Sequence, residues 1–381
     1  MKNVLFVGYG PSAVQAAKDL VGSLPADYRI VAITSNEGYW PPAALRAAVV
    51  PGWEDKPLAC VDAAFPQDGR HVMLKMTNVV ELRKNSVVVD KAHPDLGFEA
   101  DEIPFEYCVL AMGSKYPYPC RPHPSSSFSQ TLDDLRQTQS EVSRSQQILI
   151  IGGGPVGIEF AGEVASHYGK GTKEITLVHS RERLLDQSGW KEKLGRSLRG
   201  QLEGYGVRVV VRRKVVDAPE KTGRIEGGRE FHLDNGEAIK ADFVFLATGN
   251  APNSDLVASF DSSVLNDSKH IKVNSAFQVE GYEHIFAMGD VTDVKEGKQY
   301  AHAKNHGSIV ASNILALIQS PSASTASLKS YKPGSNLILV SVGPWGGAGQ
   351  IFGFVPGAWF SALVKSRSLF VSDFKKLYNV A

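Results

Sequence analysis

Cysteine is scarce: three in 381 residues, at positions 60, 108 and 120, with no CxxC pair among them. That spacing excludes a disulfide scaffold and a zinc or redox pair of neighbouring thiols, and an intracellular, reducing compartment fits best. No apolar run reaches the roughly 18 residues that a membrane-crossing helix needs. A strand-like NVLFVG begins at Asn3, leaving no length for a cleavable leader, and Lys2 stands where N-myristoylation would need glycine. No sign of charge prevails either. Against 40 Asp and Glu there are 41 Lys and Arg, a formal net charge of +1, so nothing points to nucleic acid or an acidic surface as partner. The expectation is a soluble or peripheral protein resident in the cytoplasm. What is present is an ordinary globular composition, 43% hydrophobic and 21% charged, long enough for about two to three domains.

Residues 3–8 read as a short strand, 10–20 as a helix and 28–34 as a second strand, which makes one βαβ unit. Residues 79–89 read as a hairpin turning at RKNS, and YCVLAMGS (107–114) as an apolar strand stopped by glycine. The order then repeats. A strand at 147–151, a helix at 155–168 and strands at 174–179 and 207–213 lead to an Asn-Gly turn at Asn235 and Gly236 and a strand ending at Gly249. A duplicated nucleotide-binding module is the simplest account. A third part follows: EHIFAMGD as strand and turn, NHGSIVASNILALI as helix, and a Ser-, Ala- and Thr-rich linker at 321–330 into the tail. The expected fold class is α/β, two Rossmann-like dinucleotide-binding domains with a small C-terminal α+β segment. The expected boundaries are 1–115 and 251–325 for one domain, 116–250 for the other and 326–381 for the tail.

Both units open on a glycine loop. In the form GxGxxG the first glycine permits a tight strand-to-helix turn, the second lets backbone approach a diphosphate, and the third permits close helix packing. Helix N-terminal amides without intrahelical partners then face the negative charge. Gly8, Gly10 and Ala13 fill the form as GxGxxA, with Pro11 and Ser12 between; Gly152, Gly154 and Gly157 fill it completely, with Pro155 and Val156 between. Ala111 and Gly113, and later Gly249, end the strands that border the two cradles. A plain helix-packing turn would explain one such loop. Two in one chain point to two dinucleotides side by side, a tightly held flavin and a nicotinamide that delivers hydride to its N5. In IFAMGDVTD, Asp290 is expected to accept hydrogen bonds from the flavin's ribityl hydroxyls; a bare helix N-cap is the alternative. No metal site is expected.

With GYGPSA, VLAMGS, GGGPVGIE, FLATG and FAMGD in that order, the chain resembles the two-dinucleotide flavoproteins of glutathione-reductase-like fold over essentially its whole length. PPAALRAAV (41–49), GPWGGAGQIFGF (343–354) and LVKSRSLFVSDFKKL (363–377) resemble the ferroptosis-suppressor branch of apoptosis-inducing-factor-like proteins. The resemblance implies an FAD-dependent NAD(P)H:quinone oxidoreductase, related to alternative NADH dehydrogenases, that reduces ubiquinone-, menadione- or vitamin K-like quinones. Disulfide reductases of the superfamily set a CxxxxC or CxxC pair against the flavin. Here the corresponding stretch is GYWPPAALR, so a dithiol relay is excluded. Two departures stand out. The acidic residue expected at the FAD adenosine ribose is missing, leaving Thr34, Ser35, Asn36 or Glu37, and the myristoylation signal of animal members is absent.

The resemblance also assigns roles. Glu159 matches the GxGxxGxE carboxylate near the nicotinamide, Lys365 a lysine close to the flavin edge, Phe370 a wall of the quinone pocket, and Arg46 a cofactor contact. A solvent-facing helix carboxylate and a basic amphipathic tail are the plain alternatives for Glu159 and Lys365. At the second ribose, His179, Ser180 and Arg181 replace a carboxylate, so NADPH is expected beside NADH, with Glu182 one position late. Tyr300 and His302 are further candidates for the pyrimidine side. The tail reads either as core packing or as a basic amphipathic helix, Trp359 to Tyr378, on an anionic lipid surface. Peripheral contact with the mitochondrial outer membrane or lipid droplets stays open, as does monomer against homodimer. Two other functions remain: a ferredoxin or rubredoxin reductase, and a non-enzymatic, DNA-binding death effector, which would need a basic cluster that only Arg212–Lys214 or the tail offers.

Overall fold

The computed structural model describes residues 1–186, 189–248, 250–320, 327–335 and 337–380; most of the expected linker and Gly249 lie outside them. Lys2–Val7 pairs in parallel with Tyr28–Thr34 on one side and Tyr107–Leu110 on the other, and Val72–Lys75 extends the first edge. Three of the six residues of Lys2–Val7 are less than 1% exposed and two more are at 5%. That is what a parallel strand covered on both faces requires. Tyr282–Ala287 then returns from far along the chain to pair in parallel with Tyr107–Leu110. The first sheet is therefore completed only by the third part of the sequence.

The second sheet has the order Arg208–Val211, Glu174–His179, Gln147–Ile151, Ala238–Leu246, Gly223–His232, with an antiparallel last pair. The Asn-Gly turn lies between the last two strands in sequence, with Gly236 at φ +84°. The expected hairpin is present as Val79–Leu82 against Ser86–Val89, joined by Glu102–Pro104 into a small sheet. Helix Tyr300–Gln319 lies across helix Pro11–Val21 so closely that a Cβ at Gly307 would stand 2.3 Å from the Ser12 carbonyl oxygen.

The tail corrects one reading. It is no continuous amphipathic helix: a hairpin, Ile338–Val342 and Gly346–Gln350, comes first, then a short helix Ala358–Ser361, a π turn Ala362–Ser366, and helix Val371–Leu377. Leu369 and Phe370 both adopt left-handed backbone, φ +50° and +56°, which ends the first helical run and redirects the chain. Phe374 and Tyr378 then bury completely in the core under the first sheet, while Val340 and Val342 bury against the second. The tail straddles both units.

Candidate functional site

The two glycine loops are built alike. In each, glycine is the N-cap, proline is the first helical residue, and no side chain caps the helix (Gly10–Pro11 and Gly154–Pro155). The amides of Ser12 and Ala13, and of Val156 and Gly157, are thus left to a ligand. A Cβ at Gly8 (φ +91°) would meet the Ala111 carbonyl oxygen at 2.7 Å, and one at Gly152 (φ +121°) that of Ala247 at 2.6 Å. At Gly157 it would stand 1.9 Å from the Gly152 oxygen; Ala13, buried, takes that place in the first loop. Gly10 and Gly154 have nothing within 4 Å of a Cβ position. Those two open faces are where a diphosphate fits against backbone.

Opposite the first loop stands Asp290, half-buried, with Ser114 Oγ 3.4 Å from its carboxylate. Its turn is held by residues that the sequence did not single out. The Gly289 N–H donates to His306 Nδ1 at 3.1 Å, and His306 Nε2 donates to Glu296 at 2.6 Å. Because Nδ1 accepts, His306 is the neutral Nε2–H tautomer. Burial lowers its pKa against the pull of Glu296. Burial would raise the Glu296 carboxyl, but hydrogen bonds from His306, Gly334 and Tyr331 outweigh it and bring the group down to about 2.

Arg121 was also missed. It reaches to the cradle beside Gly113 (φ +66°), where a Cβ would stand 2.5 Å from its Nη2. Burial lowers its pKa while Asp290 opposes, and among the described residues nothing accepts a hydrogen bond from its guanidinium. A half-buried cation with unused donors beside an uncapped helix N-terminus suits a diphosphate. With the open face at Gly10 this meets the requirements of FAD. An Arg separated from the glycine by seven mixed residues carries no local pattern, so only the fold reveals it.

At the second cradle His179 Nδ1 accepts the Gly153 N–H at 3.1 Å, and its Nε2 is buried without a partner. Burial, then Arg181, lowers the His179 pKa. Arg181 is exposed and donates to the Asp186 carbonyl at 2.5 Å; Glu182 is ion-paired with Arg212. On the FAD side, Glu37 accepts the Val61 N–H at 2.8 Å, and Asn36 donates to the His123 carbonyl.

The helix of the second loop carries Glu159 and Glu163 one turn apart, both buried. Neither is solvent-facing. Lys365 Nζ, from the π turn, donates to Glu159 Oε1 at 2.5 Å and to the Leu339 carbonyl at 2.7 Å, and Glu159 Oε1 also accepts the Ser341 N–H. Arg46 donates bidentately to Glu163, at 2.8 Å on each oxygen, and to the carbonyls of Ser366 (2.6 Å) and Arg367 (3.0 Å). Four of its five N–H donors are thus taken up by protein. Cys120 lies near Glu159, and burial, then that charge, pushes its thiol up to about 12. Since Arg121 follows directly and faces Asp290, the stretch 120–121 links the flavin side to the Glu159–Lys365 pair. Phe370 is half-buried at the start of the last helix. Tyr300 packs edge-on against Trp40 and His302 bonds to the Gly297 carbonyl.

Residues 2–307 match the family described as pyridine nucleotide-disulphide oxidoreductase. The chain is 32% identical over 377 residues to ferroptosis suppressor protein 1 of Mus musculus, covering 97% of this chain and 94% of that one. It is 30% identical over 374 residues to the Homo sapiens protein of that name, again covering 97% and 94%. Apoptosis-inducing factor homolog A of Dictyostelium discoideum is 28% identical over 394 residues, 99% of this chain and 92% of that protein. Among solved structures, a NAD-dependent persulfide reductase from A. fulgidus superposes with a TM-score of 0.67 at 17% identity over 92% of this chain. This chain spans only 64% of that reductase. A ferredoxin reductase from Rhodopseudomonas palustris gives 0.67 at 16% identity, covering 89% of this chain and 80% of its own. At such identities the likeness is one of fold.

Proposed function

The chain belongs to the pyridine nucleotide-disulphide oxidoreductase family and is an FAD-dependent NAD(P)H oxidoreductase; from that premise we propose that its electron acceptor is a quinone of the ubiquinone, menadione or vitamin K kind. In the overall reaction NAD(P)H, one proton and quinone become NAD(P)+ and quinol. Bound FAD supplies the two-electron relay between the two substrates.

The observation that carries the reading is the buried Lys365–Glu159 pair. A quinone that takes two electrons also takes two protons, whereas a ferredoxin takes none. Lys365 is the group that holds a quinone oxygen and donates to it, and Glu159, at 2.5 Å from its Nζ, keeps the ammonium aimed. Two of the three thiols offer no competing route: Cys120 and Cys108 are buried and both are shifted upward by that burial, far from the thiolate a relay needs. Phe370 lines the apolar entrance. At the ribose end, Glu182 is compensated by Arg212, which favours use of NADPH beside NADH. A lipid surface is the source of the quinone, and the exposed side chains of Trp345, Phe352, Phe354, Trp359 and Leu363 support contact with it.

The test is anaerobic. NADH or NADPH should bleach the purified yellow protein, and short-chain ubiquinone or menadione should restore the colour where a ferredoxin does not. Lys365→Met should slow the restoration about 10²-fold with FAD still bound. Recolouring at the original rate would remove Lys365 from the reaction, and recolouring by ferredoxin alone would overturn the quinone reading.

A further inference from the structure

The motif PPAALRAAV has no part in the reaction as described, yet it contributes one of the most buried cations of the molecule. We propose that Arg46 and Glu163 form a positioning latch, which clamps the C-terminal π turn onto the second dinucleotide helix and thereby keeps Lys365 on Glu159. The proposal rests on the role given to Lys365 above.

The side chains of Arg46 and Glu163 are only 3% and 2% exposed. Burying two charges is costly unless geometry and further hydrogen bonds compensate. Here they do. Two parallel N–H···O bonds join guanidinium and carboxylate, two further donors go to the carbonyls of Ser366 and Arg367, and the guanidinium stacks over the Trp53 ring at 4.5 Å. Those two carbonyls end a helical run, where intrahelical partners give out. The π turn itself is closed by a long bond, Arg367 N–H to the Ala362 carbonyl at 3.3 Å. An arginine from helix Pro41–Ala47 thus acts as the C-terminal cap of an element more than 300 residues away.

What this fixes is the residue before the first clamped carbonyl. Lys365 precedes Ser366, and Glu159 precedes Glu163 by one turn of the same helix. Holding Ser366 and Arg367 against Glu163 therefore delivers the Lys365 side chain to Glu159, where its second bond, to the Leu339 carbonyl, completes the seat. Ser366 Oγ adds a donation to the Gly346 carbonyl at 2.6 Å, tying the turn to the hairpin as well. Lysine at position 46 could not reproduce this, since a single ammonium cannot chelate both carboxylate oxygens and cap two carbonyls.

The test uses the FAD-loaded, full-length protein and two variants. Arg46→Lys keeps the charge; the double variant Arg46→Met with Glu163→Met removes both charges and leaves neither buried alone. The first readout is the rate at which Lys365 is acylated by an N-hydroxysuccinimide ester, read by mass spectrometry, which depends on the seat and not on catalysis. It should rise about tenfold or more in both variants while their FAD absorbance is retained. Rates within about twofold of the parent would overturn the latch. The second readout is menadione turnover in a Lys365→Met background, where breaking the latch should cost nothing more. A further loss there would show that Arg46 acts by another route and overturn the positioning role, whereas full turnover by Lys365→Met alone would instead refute the role given to Lys365.

Discussion

His306 ties the flavin cradle to pH through one nitrogen. Its Nδ1 accepts the Gly289 N–H, so a proton there breaks the bond that holds the Asp290 turn. The folded pKa is lowered from the ordinary 6.5; the group's contribution to stability is complete above about 6.5 and is lost as pH falls toward the folded value. Glu296, lowered from 4.5 to about 2, contributes fully above about 4.5 and is lost between there and about 2. Acidification should therefore lower the melting temperature and release fluorescent FAD in two stages, the first beginning near pH 6.5. His306→Asn, which keeps an acceptor beside a donor, should flatten the first stage. A melting temperature unchanged between pH 7 and 5 would mean that His306 does not bear this load. No feature of NHGSIVASN announced it, because a histidine becomes a strut only when a loop 17 residues upstream in sequence folds back onto it.

At the scale of elements, glycines in one motif have different jobs, and substitution should separate them. Gly157 has no room: a Cβ would lie 1.9 Å from a backbone oxygen. Gly157→Ala should cost about 1–3 kcal/mol or more in urea unfolding, as overpacking does. Gly10 sits at φ −79° with nothing within 4 Å, so Gly10→Ala should leave the apoprotein's unfolding curve unchanged and weaken FAD binding by about tenfold or more, since the methyl enters ligand space. Equal destabilisation by the two would contradict the open cradle. The loops, their helices and the Asn-Gly turn were legible because local chemistry decides them. The tail was not: periodicity carried an amphipathic helix straight through Leu369 and Phe370, where the backbone turns left-handed and the following face goes into the core.

For the whole molecule, the tail's contacts with both cores divide its apolar residues into two sets. Phe374, Leu377 and Tyr378 are packed inside. Trp345, Phe352, Phe354, Trp359 and Leu363 are 64–78% exposed, half of the large exposed apolar side chains of the described residues. Trp359 and Leu363 lie four apart, and Arg367 follows, stacked on Trp345 at 4.4 Å. A cation among exposed aromatics suits an anionic interface. The protein should float with vesicles of phosphatidylcholine and phosphatidylserine, and Trp359→Ser with Leu363→Ser should cut that partition about tenfold or more, because each buried apolar side chain is worth about 1.5–3 kcal/mol. No flotation at low salt would remove the lipid face. Among the described residues no helix is long and apolar enough to cross a bilayer.

The linear chain alone determined the two cradles and the lack of a thiol pair, because steric freedom at glycine, helix-end amides and residue counts are properties of short segments. Tertiary structure decided what Arg46, Arg121, His306 and Lys365 touch. Each is a charged or polar side chain whose role depends on a partner far away in sequence, and desolvation turns such a contact from indifferent to decisive.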